Sequence, residues 1–330
     1  CLVILTATTY VAINFSINHT IYKTFEKGVR FLDIRVLEYF LTVAREGSIT
    51  KAAETLHMTQ PPLSRQLKDL EAELGKQLLI RGSKNISLTE DGMLLRKRAE
   101  ELVELMEKTK AELTSPTESV SGQVYIGSGE TDGISFMAQA ASNLQRTNPS
   151  ISYHIYSGDA SHVTERLDKG LIDFGLLIEP VDISKYDYIR LPMKDTWGVL
   201  MRKDHPLAEK EQILAEDLLD QPLLLSHQLA ASSEFSAWFK ADWSRLRITA
   251  AYELIYNATH FVKKGLGVAI ALDKLVNTSG NSPFCFRPLY PAMEAGLCIV
   301  WKKHQIFSRA ASLFLEQMRK DLEQFSPDPE

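Results

Sequence analysis

Gln60, Ser64, Arg65 and Lys68 recur at spacings that keep them on the outward side of one helix. Their chemistry complements a nucleic acid. Amide and guanidinium groups match the donor and acceptor edges of bases in the major groove, while hydroxyl and ammonium groups suit phosphate oxygens. Leu63, Leu67, Leu70 and Leu74 form the other side, and are expected to face inward. Thr59 is expected to cap this helix. Pro61 and Pro62 fall in its first turn, where a missing N–H costs little. Base-reading groups near a helix N-terminus are where recognition helices present them.

The flanking elements must position that helix. Val36, Leu37, Phe40, Leu41 and Ala44 give a preceding helix an apolar face, stopped at Gly47. Ser48 then caps a short helix whose Ile49, Ala52, Ala53 and Leu56 form a small-residue face, allowing close helix approach. After Gly75, Leu78–Leu88 reads as a hairpin with Arg81 and Lys84 near its tip, a basic wing suited to phosphate or minor-groove contact. The order is that of a winged helix-turn-helix. Each helix alone would fit an ordinary helical subdomain with solvated cations, but the joint order of cap, Ala-Ala pair, QPPLSRQ and basic wing would not.

The stretch LEYFLTVAREGSITKAAETLHMTQPPLSRQLKDLEAELGKQLLIR, followed by SLTEDG, resembles the LysR-type transcriptional regulators. The resemblance continues more weakly from about Asp33 to the C-terminus. It implies that Thr59, Gln60, Pro61, Ser64, Arg65 and Lys68 hold the family's recognition-helix positions and Arg81 that of the wing arginine. Leu79 departs from the family's usual Phe, a conservative core change. The resemblance also implies double-stranded DNA, RNA polymerase and a small-molecule effector as partners, a cytoplasmic setting, and a homodimer or homotetramer.

The chain has 330 residues and a net charge of −5, so it carries no global basic signature. The positive charge gathers on one helix and one wing, which predicts selective, salt-sensitive binding. Cys1, Cys285 and Cys298 lack metal-ligand spacing and fit a reducing compartment. Leu2–Ile17 is apolar, but lacks a basic leader and is short for a membrane span. Residues 1–31 are expected to be a non-native or disordered extension. Translation is expected to start at Leu32 or Val29, and a native intact mass that includes Cys1–Phe31 would refute this.

The winged domain is expected over 32–90 and a linker region over 91–119. Within the latter, Leu95, Ala99, Leu102, Met106, Thr109 and Leu113 alternate by four and three, a seam suited to pairing with a second copy, ahead of the polar hinge Thr114–Ser119. A single amphipathic helix lying on its own domain would show the same spacing.

Over 120–330, strands alternate with helices, which predicts a parallel sheet covered on both faces. The expected fold class is α+β multidomain. An all-α winged helix-turn-helix precedes a long linker helix and an α/β effector domain of two lobes, resembling solute-binding proteins. Lobe I is expected over about 120–194 and 290–326, lobe II over about 195–289. Ligands in such sheets bind at the C-terminal ends of strands, near helix N-termini. Ser128, Gly129 and Thr131 follow the first strand, Ser226, His227 and Gln228 follow a second-lobe strand, and Asn257 opens a helix. These are the candidate effector contacts; the same residue types also cap helices and close turns. Glu130 and Asp132 sit badly with an anionic effector. They would repel a carboxylate, grip an amine, or satisfy a helix dipole themselves.

Gly127, Gly129 and Gly133 are spaced one residue too widely for a dinucleotide fingerprint. No P-loop, nucleophile elbow or HExxH occurs. No enzyme, catalytic residue, metal or cofactor is expected. A solute-binding transport protein would explain the α/β half but not residues 34–89.

Overall fold

The computed structural model describes residues 32–82, 85–114, 121–230, 232–239 and 245–324. The expectations for residues 1–31, for Lys84 and for the hinge at 115–119 fall outside the described residues. The chain divides into two compact units between Glu107 and Lys108.

In the first unit, α1 (Ile34–Glu46) is capped by the Asp33 carboxylate, which accepts from the Arg35 N–H at 2.9 Å. It ends at Gly47, whose φ of 63° is left-handed backbone that glycine adopts at little cost. Ser48 caps α2 (Ile49–Thr55), and α3 spans Gln60–Leu74. Phe40, Val43, Ala52, Ala53, Leu63, Leu67 and Leu70 close one core with Leu78 and Leu79 of the wing. The buried face of α1 turns through Val43 rather than the expected Ala44. Leu74, expected inward, is the last residue of α3 before Gly75 and is 40% exposed.

The wing pairs β1 (Leu79–Arg81) antiparallel with β2 (Ile86–Leu88). The Ile86 N–H donates to the Gly47 carbonyl at 2.8 Å, pinning the wing to the turn after α1. The 25-residue α4 (Glu90–Thr114) starts where the Thr89 hydroxyl accepts from the Gly92 N–H. A Cβ on Gly92 would stand 2.2 Å from the Leu78 carbonyl, so only glycine fits there. Of the expected seam, Ala99 is buried and Leu95 packs on the winged-domain core, whereas Leu102, Met106 and Leu113 are exposed.

The second unit is built on β3 (Gly122–Ser128), α5 (Ile134–Thr147), β4 (Ile151–Ser157), α6 (Ala160–Asp168), β5 (Phe174–Ile178) and the 17-residue β6 (Tyr186–Arg202). It continues through β7 (Pro222–Ser226), α7 (His227–Ala230), α8 (Ser233–Phe239), β8 (Arg247–Tyr252), α9 (Ile255–Lys263), β9 (Val268–Leu272), β10 (Phe284–Pro288), β11 (Glu294–Lys302) and α10 (Arg309–Gln324). The strand order is β4-β3-β5-β11-β6-β9-β7-β8, with β10 also on β6.

The sheet is mixed, not parallel as the alternation suggested. β3 runs parallel to β4 and β5, and β7 to β8 and β9, but β6, β10 and β11 are antiparallel to their partners. β11 arrives from the far end of the chain and inserts between β5 and β6, antiparallel to both, so the order of the strands in the sheet does not follow their order in the sequence. Ala215–Leu218 forms a 3₁₀ turn.

β6 belongs to both lobes. Its first part, Tyr186–Thr196, pairs with β11, and from Trp197 onward it pairs with β9 and β10. Lobe I packs Phe136, Met137, Phe174 and Phe314 of α5, β5 and α10 on one face and Val163 and Leu167 of α6 on the other. Lobe II packs Leu224, Ile255, Ala258 and Val262 on one face and Phe235 and Phe239 on the other.

Candidate nucleic-acid interface and effector cleft

Buried Leu63, Leu67 and Leu70 fix the rotation of α3. Gln60, Pro61, Arg65 and Lys68 are thereby exposed and Ser64 half-buried. Neither Arg65 nor Lys68 enters an ion pair among the described residues.

Thr59 occupies the cap position of α3, yet its side chain makes no capping bond. An N-cap oxygen accepts from the N–H of the second or third helical residue. Here those residues are Pro61 and Pro62, which have none. The sequence expectation of a Thr59 cap fails for that reason, and its hydroxyl is left facing outward beside Gln60.

The wing arginine is held. Arg81 Nη2 donates to Glu71 Oε2 at 2.9 Å, while Glu71 Oε1 accepts from the N–H groups of Leu78 and Leu79 at 2.9 and 3.0 Å. One carboxylate on the last turns of α3 thus ties the recognition helix to the first wing strand.

The second unit carries a cleft between its lobes. A narrow part of about 40 Å3 lies among Gly129, Ser226, His227, Gln228 and Trp197. Beside it, a cavity of about 480 Å3 is lined by Asp159, Glu179, Trp197, His227, Gln228 and Met293. Trp197 sits where β6 changes partners, so the indole lies at the crossing between lobes.

The expected contacts divide. Gly129, Ser226, His227 and Gln228 meet at the cleft. Ser128 and Thr131 are buried, and their hydroxyls are committed. Ser128 Oγ donates to the Gly129 carbonyl at 2.6 Å; Thr131 Oγ1 donates to Asp195 and accepts from the Gly133 N–H at 3.1 Å. Both were expected to offer hydroxyls to a ligand. Folding uses them instead: the Thr131 bond holds the β3–α5 loop against β6, and the Ser128 bond closes within the loop. Asn257 lines a neighbouring cavity with Phe261 and Ala250. Ser226 Oγ accepts from the Leu229 N–H at 3.1 Å, a helix cap.

Hydrogen bonds cross the cleft. The Glu130 carboxylate from lobe I accepts from the Ile255 N–H at the start of α9 in lobe II. Gln228 Nε2 donates to the Ile178 carbonyl at 3.2 Å. Burial pushes the Glu130 carboxyl up, and the Ile255 and Tyr256 N–H groups pull it back. Asp159 caps α6 by accepting from the His162 N–H at 2.9 Å. Burial likewise raises the Asp159 carboxyl, but hydrogen bonds from His162 and Ser161 outweigh it and leave it below the usual range. Sequence reasoning missed Trp197, Asp159 and the reach of Glu130. Asp159 follows a strand and opens a helix, the same signal that singled out Ser226; Trp197 had no such signal.

Cys285 and Cys298 are buried, and burial pushes the Cys298 thiol up to about 12. Among the described residues no acidic, His or Cys cluster could hold a metal ion, and no helix is long and apolar enough to cross a membrane.

Comparison with known proteins agrees with this architecture. The profile of the bacterial regulatory helix-turn-helix protein, lysR family, matches residues 34–93, and that of the LysR substrate binding domain matches 117–323. The Hca operon transcriptional activator HcaR of Escherichia coli (strain K12) is 28% identical, over 83% of this chain and 93% of its own. The HTH-type transcriptional regulator YvbU of Bacillus subtilis (strain 168) is 29% identical, over 88% and 99%. The crystal structure of full-length CbnR complexed with its target DNA shares the fold, with a TM-score of 0.68 at 20% identity over 88% of this chain and 99% of that one. A winged helix-turn-helix joined to a two-lobed α/β unit, with these matches along both, makes this chain a member of the LysR family of DNA-binding transcriptional regulators.

Proposed function

We propose that this chain is an effector-responsive regulator that reads DNA through α3 and its wing. Gln60, Ser64 and Arg65 contact base edges, aided by Thr59 and Pro61, and Lys68 and Arg81 hold phosphates. Lys84 is assigned to the wing tip on the sequence alone. The observation that carries the reading is the exposure of Arg65 and Lys68, without ion pairs among the described residues, on a helix whose rotation its buried leucines fix. Two copies, paired along α4, engage two half-sites. Exposed Leu102, Met106 and Leu113 support that pairing. The chain works in the cytoplasm with RNA polymerase, as a homodimer or a homotetramer.

A small molecule entering the cleft beside Trp197, His227 and Gln228 shifts the balance between two states of the effector unit that differ in DNA affinity. Such a ligand acts only through its differential affinity for those states. The cavity is within the usual range for small-ligand sites.

The test is a footprint of protein begun at Leu32 on the DNA flanking its own gene, at two salt concentrations. The expected result is a discrete protected site with dyad symmetry that weakens steeply with salt. No protection at either salt, followed by no enrichment in selection from random DNA, refutes the reading.

A further inference from the structure

A LysR-type cleft is a small-molecule site in the reading above, and the present inference rests on that reading. The charge of its lining is uneven. Glu130, Asp159, Glu179 and Glu253 border the two parts of the cleft, and no Lys or Arg does so among the described residues. Only His227 could add a positive charge, and Arg190 neutralises Glu179 from outside, its Nε donating to Oε1 at 3.1 Å.

Helix N-termini are the other means by which such a fold binds an anion. Among the described residues, four helices begin at this cleft: the hydroxyls of Ser226 and Ser232 cap the short α7 and α8, and the chain's own carboxylates occupy the N-termini of the longer α6 and α9. Asp159 caps α6 from its own lobe. Glu130 takes the N-terminus of α9 from the opposite lobe, a contact between residues 125 apart in the sequence. An entering carboxylate or phosphate would meet no Lys or Arg in that lining, and would find the N-termini of α6 and α9 already filled by carboxylates. It would also have to approach Glu130 in a half-buried setting, where like charges repel more strongly than in water. A protonated amine meets the reverse: carboxylate oxygens with lone pairs to spare and the Trp197 indole, a suitable face for a cation.

We propose that Glu130 is a specificity-determining residue: by seating its carboxylate on α9 it bars anionic effectors and sets the cleft for a small ligand that carries a positively charged amine. Glu130 also bridges the lobes, so the same contact decides what enters and helps to hold the cleft shut.

Benzylamine and benzoate differ in charge on one skeleton and serve as probes. Their binding to the full chain is followed by calorimetry and by Trp fluorescence. The expected result is that benzylamine binds at least tenfold more tightly than benzoate, and that Glu130→Ala erases this preference by freeing the α9 terminus for benzoate. Glu130→Gln keeps the side-chain bulk, and should narrow the preference if Glu130→Ala folds poorly. Asp132→Asn, at an exposed position next to the loop, should leave the ratio unchanged. Benzoate binding as well as benzylamine in the unaltered protein overturns the charge assignment. An unchanged ratio in folded Glu130 variants overturns the role of Glu130. Binding of neither probe to any of these proteins overturns the effector reading itself, and this inference with it.

Discussion

Arg81 of the wing and Glu71 of the recognition helix stand 2.9 Å apart, with the same Glu71 side chain also accepting from the backbone of Leu78 and Leu79. The guanidinium is only partly used by this pair, since it presents further donors in a fixed fork. Glu71 therefore aims Arg81 as well as restraining it. Arg81→Ala should weaken binding to all DNA sequences about equally and reduce the slope of log affinity against log salt by about one. Glu71→Ala leaves two half-buried N–H groups unpaired and should cost about 1–3 kcal/mol of stability for each one that water cannot reach. Filter binding over a salt series and urea unfolding separate the two effects. An unchanged salt slope would remove Arg81 from the phosphate contacts.

The Thr59 hydroxyl has no capping duty, because Pro61 and Pro62 supply no N–H. Loss of a working N-cap costs about 0.5–2 kcal/mol. Thr59→Val should cost less than that in thermal unfolding, yet weaken operator binding. Arg65→Ala should cost about 1–3 kcal/mol in specific binding and relax base preference at one position. A Thr59→Val protein that unfolds early but binds normally would show a capping role after all.

Near the end of α4, Lys108 is 5% exposed and its Nζ stands 2.8 Å from Asp173 Oδ1, with the Gly170 carbonyl at 3.0 Å and the Tyr125 ring beneath. Asp173 Oδ2 accepts from the Tyr125 N–H. Removing one partner of a buried pair strands the other, which typically costs about 3–5 kcal/mol. Lys108→Ala should lower the thermal transition of the second unit accordingly, and adding Asp173→Ala should return part of the loss. Calorimetry of both variants checks this; equal transitions in Lys108→Ala and the unaltered protein would mean that the pair is dispensable.

Asp195, 1% exposed, has its carboxyl raised by burial, with the Thr131 hydroxyl pulling it down and Asp273 pushing it up. The folded chain therefore holds this proton more tightly than the unfolded chain. Stability falls as pH rises from the unfolded carboxylate range through the raised folded value, and stays lower above it. Asp195→Asn keeps an acceptor for Thr131 and carries no charge. Its melting temperature should exceed that of the unaltered protein at neutral pH, with the gap closing as pH falls to about 4. A constant gap across that range would count against the titration of Asp195.

The helix-turn-helix was legible because its signals are local. Gly47 and Ser48 set helix ends within a few residues, and leucine spacing sets the faces. Thr59 shows the limit of the same rule, since a capping residue needs donors two and three places on. Strand direction in the second unit was not legible. It depends on β6 crossing between lobes and on β11 inserting beside it, a matter of connections and not of any residue's propensity. The cleft was found by its loops, but not its wiring. Nothing near Glu130 in the sequence points to Ile255, and nothing near Thr131 points to Asp195. Contacts of that range depend on which lobe faces which.

The strand β6 has a mechanical consequence. Both lobes hang their ladders on one continuous strand, whose pairing with β11 shifts register between Arg190 and Lys194. Parting the lobes must therefore wind or unwind that segment between Leu191 and Trp197, as a torsion bar stores rotation. Small angles come easily and large ones break hydrogen bonds, so the two lobes rock about a common axle instead of swinging free.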